Sequence, residues 1–236
     1  MKESFPQQAY DTLSDAYAQV IDTKPHNAYY DRPAIKSLVG SPHGQRVLDA
    51  GCGPGVYTQW LLDEGASVVS LDANEKMLSH AKNRIGERAT FIHANLEEPM
   101  PFLASSSFDG ILSALTITYC KDLKPVFSEF SRILKPEGYL VFSTEHPFFA
   151  YRNSNLENYY EIQELHIPWK GFSVDVVMDS YYHSLSSITE ALFASGFVIE
   201  RMIEPYPIQK FAEKDPKGYE KLMKFPLFLF VRAIKR

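Results

Sequence analysis

The sequence contains Val47-Leu48-Asp49-Ala50-Gly51-Cys52-Gly53-Pro54-Gly55, an apolar run that leads directly into three glycines at alternate positions. Because glycine has no β-carbon, such a run lets the backbone approach a bound ligand closely. Residues 56–64 have the pattern of a helix that ends at Gly65. A strand, a glycine-rich turn and the amino terminus of a helix together predict a cradle for a nucleotide-like ligand.

Predicted strands and helices alternate along the rest of the chain. Strands are predicted at 46–50, 67–71, 90–93, 108–113, 139–144, 197–200 and 227–234, and helices at 10–21, after Pro33, and at 75–85, 123–134 and 186–195. This alternation predicts an α/β fold, a doubly wound parallel sheet with helices on both faces. In such a sheet the ligand lies beyond the carboxyl ends of the strands, where the strand order reverses.

The pattern changes between Phe148 and His183, where the sequence is aromatic, polar and β-rich and shows no clear helix. Residues 161–167 and 174–178 are predicted to pair as a hairpin around Lys170-Gly171. We interpret the segment as an inserted lid. The predicted division is a helical cover over 1–45, a ligand-binding core over 46–147, the lid over 148–183 and the remainder of the core sheet over 184–236.

Composition limits the classes of partner. The 236 residues carry a net charge of −5 without a long basic run, which argues against a nucleic-acid partner. Two distant cysteines, Cys52 and Cys120, favour a reducing, cytoplasmic compartment. Residues 1–7 lack the apolar core of a signal peptide, and no window approaches the roughly 18 apolar residues of a membrane span. Without such a span, no membrane partner is predicted. The histidines lack the spacing of metal ligands, so no metal site is predicted either.

Two polar residues follow later predicted strands. Asp72 lies about twenty residues after Gly51, where a carboxylate can accept hydrogen bonds from both hydroxyls of a ribose. Its alternative role is to cap the helix that begins at Glu75. Asn95 follows the third strand and can recognise the edge of an adenine, although it is also an ordinary turn residue.

The glycine spacing argues against a dinucleotide. A pyrophosphate-binding turn follows Gly-x-Gly-x-x-Gly, whereas here the third glycine comes one position early and Val56 follows it. Pro54 donates no amide hydrogen. Asp49 would repel a phosphate and suit an amino-bearing ligand, unless it is a buried capping residue. An NAD-dependent oxidoreductase is therefore the less favoured alternative.

These motifs, followed by Asn95-Leu96-Glu97-Glu98-Pro99-Met100-Pro101-Phe102, Phe108-Asp109 and Leu134-Lys135-Pro136-Glu137-Gly138-Tyr139-Leu140, resemble a class I S-adenosylmethionine-dependent methyltransferase of the small-molecule type. The resemblance covers about residues 46–147 and is specific to the superfamily. It implies a Rossmann-like sheet of seven strands, the last one antiparallel and near residues 225–235. It also implies S-adenosylmethionine as cofactor and S-adenosylhomocysteine as product.

The resemblance implies roles for individual positions. The glycine loop would contact the methionine part, Asp49 would lie near its amino group and Asp72 would hold the ribose. Asn95 stands where many relatives have aspartate, which weakens the expected hydrogen bond to the adenine amino group. The expected cofactor-binding residues are Tyr17, Asp49, Gly51, Cys52, Gly53, Asp72, Ala73, Met77, Asn95, Leu96 and Ser113.

Methyl transfer needs positioning above all, and a general base only if the acceptor must lose a proton. The catalytic candidates are His146, at the end of the fifth strand, and His183, ahead of a helix. An imidazole titrates near neutral pH and can therefore act as a base. The alternative is that these histidines only hydrogen-bond a loop. Tyr119, Phe148 and Tyr181 are the predicted substrate-binding residues, although the aromatic residues of the lid can also serve only to pack it. We expect methyl transfer to oxygen or nitrogen of a small molecule by a monomer or homodimer. A non-catalytic protein that senses the cofactor is the other alternative.

Overall fold

The computed structural model describes residues 4–170 and 172–236. Its strands are β1 (Arg46–Ala50), β2 (Ser67–Asp72), β3 (Thr90–His93), β4 (Phe108–Ala114), β5 (Leu134–Glu145), β6 (Gln163–Trp169), β7 (Val176–Tyr182), β8 (Phe197–Ile203) and β9 (Phe228–Lys235). Its α-helices are α1 (Gln7–Val20), α2 (Arg32–Val39), α3 (Val56–Asp63), α4 (Glu75–Ile85), α5 (Leu123–Ile133), α6 (Pro147–Asn153), α7 (Leu185–Ala194), α8 (Gln209–Lys214) and α9 (Pro216–Leu222). A π-helical turn spans Asn27–Asp31, and 3₁₀ turns span Gly86–Arg88 and Ile117–Tyr119.

Seven strands form one sheet in the order β3-β2-β1-β4-β5-β9-β8. The first five pair in parallel, and β9 runs antiparallel to both β5 and β8. The predicted seven-stranded, mostly parallel sheet with an antiparallel last strand is confirmed. The chain crosses from β3 at one edge to β4 beside β1, so the strand order reverses between β1 and β4.

Alternate residues of the central strands pack on opposite faces of the sheet. Leu48 and Leu140 belong to a buried cluster with α5 and α7, whereas Val47 and Val141 belong to a second cluster with α2 and α3. A strand whose residues are buried on both sides is typical of a doubly wound sheet. Helices cover both faces, as the alternating pattern predicts.

The predicted hairpin is present as a separate two-stranded sheet, because β6 and β7 pair antiparallel from Gln163↔Tyr182 to Trp169↔Val176. Of its predicted turn, Gly171 lies outside the described residues. The hairpin packs against α1 through a cluster that includes Leu13, Phe172 and Met178. Hydrophobic side chains of the inserted segment thus cover the carboxyl edge of the sheet together with α1.

The expectation that residues 148–183 contain no helix is wrong. Helix α6 occupies Pro147–Asn153, and its first turn is capped by His146, whose Nδ1 accepts from the backbone of Phe148 at 3.2 Å. Seven residues give too short a periodic signal, and histidine is not among the preferred cap residues. The short helices α8 and α9 escaped prediction for the same reason. No helix in the described part of the chain is long and apolar enough to span a membrane.

Candidate functional site

A cavity of about 440 Å³ lies at the carboxyl edge of the sheet, where the strand order reverses. The ends of β1, β2 and β4 form one side, and α1 and the β6–β7 hairpin form the other. The predicted site residues that line it are Tyr17, Gly51, Cys52, Gly53, Asp72, Ala73, Met77, Asn95, Leu96 and Tyr119. The fold therefore brings together residues that lie up to 102 positions apart in the sequence, from Tyr17 to Tyr119.

The glycine loop has a backbone that only glycine adopts readily. Gly51 has φ +80°, and a β-carbon there would overlap the side chain of Thr116. Gly53 has φ +52°, and nothing lies within 4 Å of the position that its β-carbon would take. Since Gly53 lines the cavity, that empty space is available to a ligand.

Asp72 is fixed against the glycine loop. Its carboxylate accepts from the backbone N–H of Gly53 at 2.7 Å and of Asn74 at 2.9 Å. A carboxylate has about four lone-pair positions, so it can still accept from two hydroxyls of a ligand. The cap of α4 is Asn74, whose Oδ1 accepts from Met77 N at 3.0 Å, so Asp72 is not needed for that role. Burial raises the pKa of Asp72.

Asn95 combines the two roles that its position allows. Its Oδ1 accepts from the backbone N–H of Glu97 at 3.0 Å, which stabilises the turn after β3. The residue also lines the cavity beside Leu96 and Met77. A flat apolar slot with an amide at its edge can hold an aromatic base such as adenine.

Two predicted cofactor-binding residues support the loop from behind and do not line the cavity. Asp49 is only 1% exposed and accepts from Thr58 Oγ1 at 2.6 Å. Burial raises the pKa of Asp49 to about 7. Ser113 is fully buried and donates to the carbonyl of Ala50 at 3.0 Å. Their direct contact with a cofactor remains a prediction.

A cationic side chain lies near the same loop. Arg32 lines the cavity, and its guanidinium donates to the carbonyl of Ile21 at 3.0 Å. Its Nε is buried and has no hydrogen-bond partner within the described ranges. The preceding residue, Asp31, accepts from Ser143 Oγ at 2.6 Å and from the Tyr57 hydroxyl. An unsatisfied guanidinium donor suits a carboxylate of a bound ligand.

Comparison with known proteins agrees with this geometry. A family model described as a methyltransferase domain matches residues 48–142. An S-adenosylmethionine-dependent methyltransferase from Mesorhizobium loti is similar in structure, with a TM-score of 0.72 and 26% identity over 91% of this chain and all of that one. This chain has the fold of the class I S-adenosylmethionine-dependent methyltransferases and carries a methyltransferase domain. The residues of the cavity fit S-adenosylmethionine, the cofactor for which the Mesorhizobium loti protein is named.

Curated relatives match this methyltransferase over different lengths. A malonyl-[acyl-carrier protein] O-methyltransferase from Enterobacter lignolyticus is 39% identical over 50% of this chain and 47% of its own. An uncharacterized protein from Haemophilus influenzae is 27% identical over 89% of this chain and 88% of its own. The chain thus spans less than half the length of the malonyl-specific relative, and nearly all of the other.

The two predicted catalytic histidines lie outside the cavity lining of this methyltransferase. His146 is buried, with its Nε2 2.6 Å from Glu204 Oε1 and its Nδ1 bonded to the backbone of α6. His183 has its Nε2 2.9 Å from the carbonyl of Cys120, and burial lowers its pKa. Both imidazoles make structural hydrogen bonds in this state, so their catalytic role remains a prediction without geometric support.

Of the three predicted substrate-binding residues, one lines the cavity and two do not. Tyr119 lines the cavity, and its hydroxyl lies 2.8 Å from that of Tyr10. Phe148 is 49% exposed and stacks on Tyr159, and Tyr181 stacks on Phe5 with ring centroids 4.6 Å apart. Neither of these two lines the cavity.

Besides Asp72, the charged residues that line the cavity are Lys24, Asp31, Arg32, Glu145 and Lys170. Glu145 directly precedes His146, and the sequence pattern favours His146 because imidazole is a common general base. Adjacent residues at the end of a strand point in different directions, so only the fold shows that Glu145, and not His146, lines the cavity. Within residues 4–170 and 172–236, no group of three or more His, Cys, Asp and Glu side chains could hold a metal ion.

Proposed function

We propose that this methyltransferase transfers a methyl group from S-adenosylmethionine to oxygen or nitrogen of a small-molecule acceptor. One observation carries the proposal: the glycine loop, Asp72 and a wall of aromatic side chains line the same cavity. The loop and Asp72 suit a nucleoside, and the aromatic wall, which includes Tyr119, Trp169 and Phe172, suits a second, partly apolar molecule. Two molecules in one cavity are what a group transfer requires.

The strand order supports a placement for the cofactor. Asp72 and Asn95 follow β2 and β3, so we place the ribose and the adenine over these strands. Gly53 and Arg32 then face the methionine part, with the Arg32 Nε as a donor to its carboxylate. The reacting methyl group would face the ends of β4 and β5.

The chain mainly positions the reactants and excludes water. S-adenosylmethionine supplies a methyl group on a good leaving group. The hydrogen bond between the hydroxyls of Tyr10 on α1 and Tyr119 covers the cavity above the sheet. Tyr17 stacks on Phe172 of the hairpin with ring centroids 5.5 Å apart. Holding an acceptor in line with the methyl group is worth several kcal/mol of the barrier, about 7–11 in favourable cases.

The acceptor is a small molecule in this proposal, although one relative is named for methylation of malonyl-[acyl-carrier protein]. That similarity covers half of this chain, and the family model ends at residue 142, before the hairpin begins. The aromatic residues that enclose the acceptor side, Trp169 and Phe172, lie beyond that boundary. We further propose that the protein is cytoplasmic, which its two free, buried cysteines support, and that it is a monomer or homodimer.

The test is transfer of a labelled methyl group. The protein is titrated with S-adenosylhomocysteine by calorimetry and then incubated with methyl-labelled S-adenosylmethionine and a panel of small acceptors. We expect binding of S-adenosylhomocysteine and acceptor-dependent transfer of label. Binding without transfer to any acceptor would instead indicate a sensor of the cofactor. Binding of NAD without S-adenosylhomocysteine would indicate an oxidoreductase.

A further inference from the structure

We propose that the acceptor is a primary or secondary amine, and that Glu145 binds its ammonium form and removes the proton that blocks methylation. This inference rests on the proposed methyl transfer and specifies its acceptor. Glu145 is the last residue of β5 and lines the cavity.

The sheet places Glu145 on the acceptor side. In the order β3-β2-β1-β4-β5, Asp72 follows β2, the glycine loop follows β1, and Glu145 ends β5. Neighbouring strands are about 4.8 Å apart, so Glu145 lies about 10 Å from the glycine loop, on the side away from Asp72. A cofactor whose ribose is at Asp72 and whose methionine part is at the loop leaves Glu145 to the second molecule.

Glu145 differs from the other carboxylates that line the cavity. Asp31 accepts hydrogen bonds from Ser143 and Tyr57, and Asp72 accepts from two backbone N–H groups. No hydrogen bond or ion pair joins the carboxyl group of Glu145 to another side chain of the described residues, and burial alone raises its pKa to about 7. A mostly buried carboxylate without a partner is costly unless a ligand supplies the missing donor or cation.

The surrounding wall suits a cation. Tyr17, Trp169 and Phe172 form a stacked series of rings, and the faces of such rings attract ammonium groups. Lys24 already uses this property, because its Nζ lies 3.3 Å from the centroid of Phe172. An aromatic wall and an unpartnered carboxylate in the same cavity are the combination that recognises an amine in its protonated form.

Other titratable groups of the lining are poorly suited to accept the proton. Burial raises the pKa of Tyr119 to about 12 and raises those of Tyr10 and Cys120 further, so all three stay protonated near neutral pH. Burial lowers the pKa of His26, which makes it a weaker base, and its ring packs edge-on against Phe211. Burial also raises the pKa of Asp31 to about 6, but its carboxylate already accepts from Ser143 and Tyr57. Glu145, whose pKa is raised to about 7, lines the cavity without such bonds among the described residues.

The step balances without a further reactant. The ammonium group gives one proton to the Glu145 carboxylate, which leaves a neutral amine with a free lone pair. That lone pair forms the N–C bond while the C–S bond breaks, and the electron pair of the C–S bond stays on sulfur as the thioether of S-adenosylhomocysteine. The product is the methylated ammonium, and Glu145 returns its proton to water after release. A carboxylic acid acceptor would bring a second negative charge against Glu145.

The experiment compares Glu145→Gln with Glu137→Gln, which changes an exposed glutamate at the other end of the same strand. Each protein is titrated with S-adenosylhomocysteine and incubated with labelled S-adenosylmethionine and amines, alcohols and carboxylic acids of matched carbon skeleton. We expect wild type and Glu137→Gln to label amines. Glu145→Gln should bind S-adenosylhomocysteine within twofold of wild type and methylate amines at least 100-fold more slowly.

A binding measurement does not depend on the identity of the acceptor. Sinefungin carries an amino group where S-adenosylmethionine carries its methyl group, so it presents an ammonium to the acceptor side. We expect Glu145→Gln to weaken sinefungin at least tenfold relative to S-adenosylhomocysteine. Equal loss for both ligands, amine turnover within threefold of wild type, or label only in alcohols or carboxylic acids overturns the inference. Absence of S-adenosylhomocysteine binding, or binding without any transfer, contradicts the proposed function itself.

Discussion

Gly53 faces the proposed ligand with backbone alone. Its positive φ and empty surroundings predict that Gly53→Ala lowers the affinity for S-adenosylhomocysteine about tenfold, because the new methyl group fills ligand space. Gly44→Ala is the matched control, since Gly44 also has positive φ, at +73°, and no atom near its β-carbon position, but lies outside the cavity. Both variants should lose about 1–2 kcal/mol of stability from backbone strain. Calorimetry that shows equal affinities for the two variants would contradict the assignment.

The Asp72 carboxylate is proposed to accept hydrogen bonds from the ribose hydroxyls. Asp72→Asn keeps one acceptor oxygen and removes the charge, and hydrogen bonds to charged groups are worth about 1.5–3 kcal/mol. We therefore expect S-adenosylhomocysteine to bind about 10–100-fold more weakly. The unfolding temperature should also fall, because the new NH2 group faces one of the two backbone N–H groups that bond to the carboxylate. Adenine alone should bind wild type and variant equally. An unchanged affinity for S-adenosylhomocysteine would exclude Asp72 from the ribose contact.

Residues differ in how far the sequence defines them. Gly51, Gly53 and Asp72 were predictable because their spacing after a strand has a direct backbone consequence. Glu145 was not, because its proposed role depends on the absence of a partner among the residues that the structure describes. The choice of His146 followed the general use of imidazole as a base, whereas the structure places the Nε2 of that ring 2.6 Å from Glu204 Oε1.

Helix α1 and the β6–β7 hairpin are the elements that cover the cavity. Asn74 donates to Asp11 of α1 at 2.7 Å, directly beside the ribose-binding Asp72 of the proposal. Tyr17 of α1 lines the cavity and stacks on Phe172. A ligand under these elements should therefore stabilise them more than elements elsewhere.

Hydrogen exchange measures that coupling. We expect S-adenosylhomocysteine to slow amide exchange in α1 and in the hairpin at least fivefold, because their opening would expose the ligand. Helix α5, which packs on the far side of β5 away from the cavity lining, should change less than twofold. Equal protection of α1 and α5 would mean that α1 does not cover the ligand.

The long elements followed from periodicity, and the short ones did not. The buried residues of helix α5 recur at helical spacing, and this periodicity predicts the helix from the sequence; they include Val126, Phe127, Phe130 and Ile133. Helix α6 has seven residues, and its position depends on the contacts of His146 with the chain around it. The two strands of the hairpin were predicted, but their packing on α1 is a tertiary contact that no local pattern indicates.

Several buried carboxyl groups of the folded protein have raised pKa values and stay partly protonated near neutral pH. Burial raises the pKa of Asp49 and Glu145 to about 7 and that of Asp31 to about 6. The folded chain therefore binds protons that the unfolded chain releases, and this contribution to stability is lost as pH rises through 7. The lowered pKa values of His26 and His183 act in the opposite direction, because the unfolded imidazoles bind protons as pH falls through about 6.5.

The ligand-free protein should consequently become more stable as pH falls from 8 to 6.5. Asp49 and Glu145 together contribute on the order of 1–2 kcal/mol over this interval. Urea unfolding at both pH values measures the change, and Asp49→Asn should reduce it by about half. A wild-type protein that loses stability between pH 8 and 6.5 would show that these acids are ionised in the folded state.

We propose that the cavity at the carboxyl edge of the seven-stranded sheet has a cofactor side and an acceptor side. A crystal structure with S-adenosylhomocysteine tests this arrangement most directly. We predict ribose hydroxyls within hydrogen-bond distance of Asp72, the ligand carboxylate at Arg32, and sulfur facing the part of the cavity that Glu145 lines. A ribose bound away from Asp72, or a sulfur that faces away from Glu145, would contradict the account.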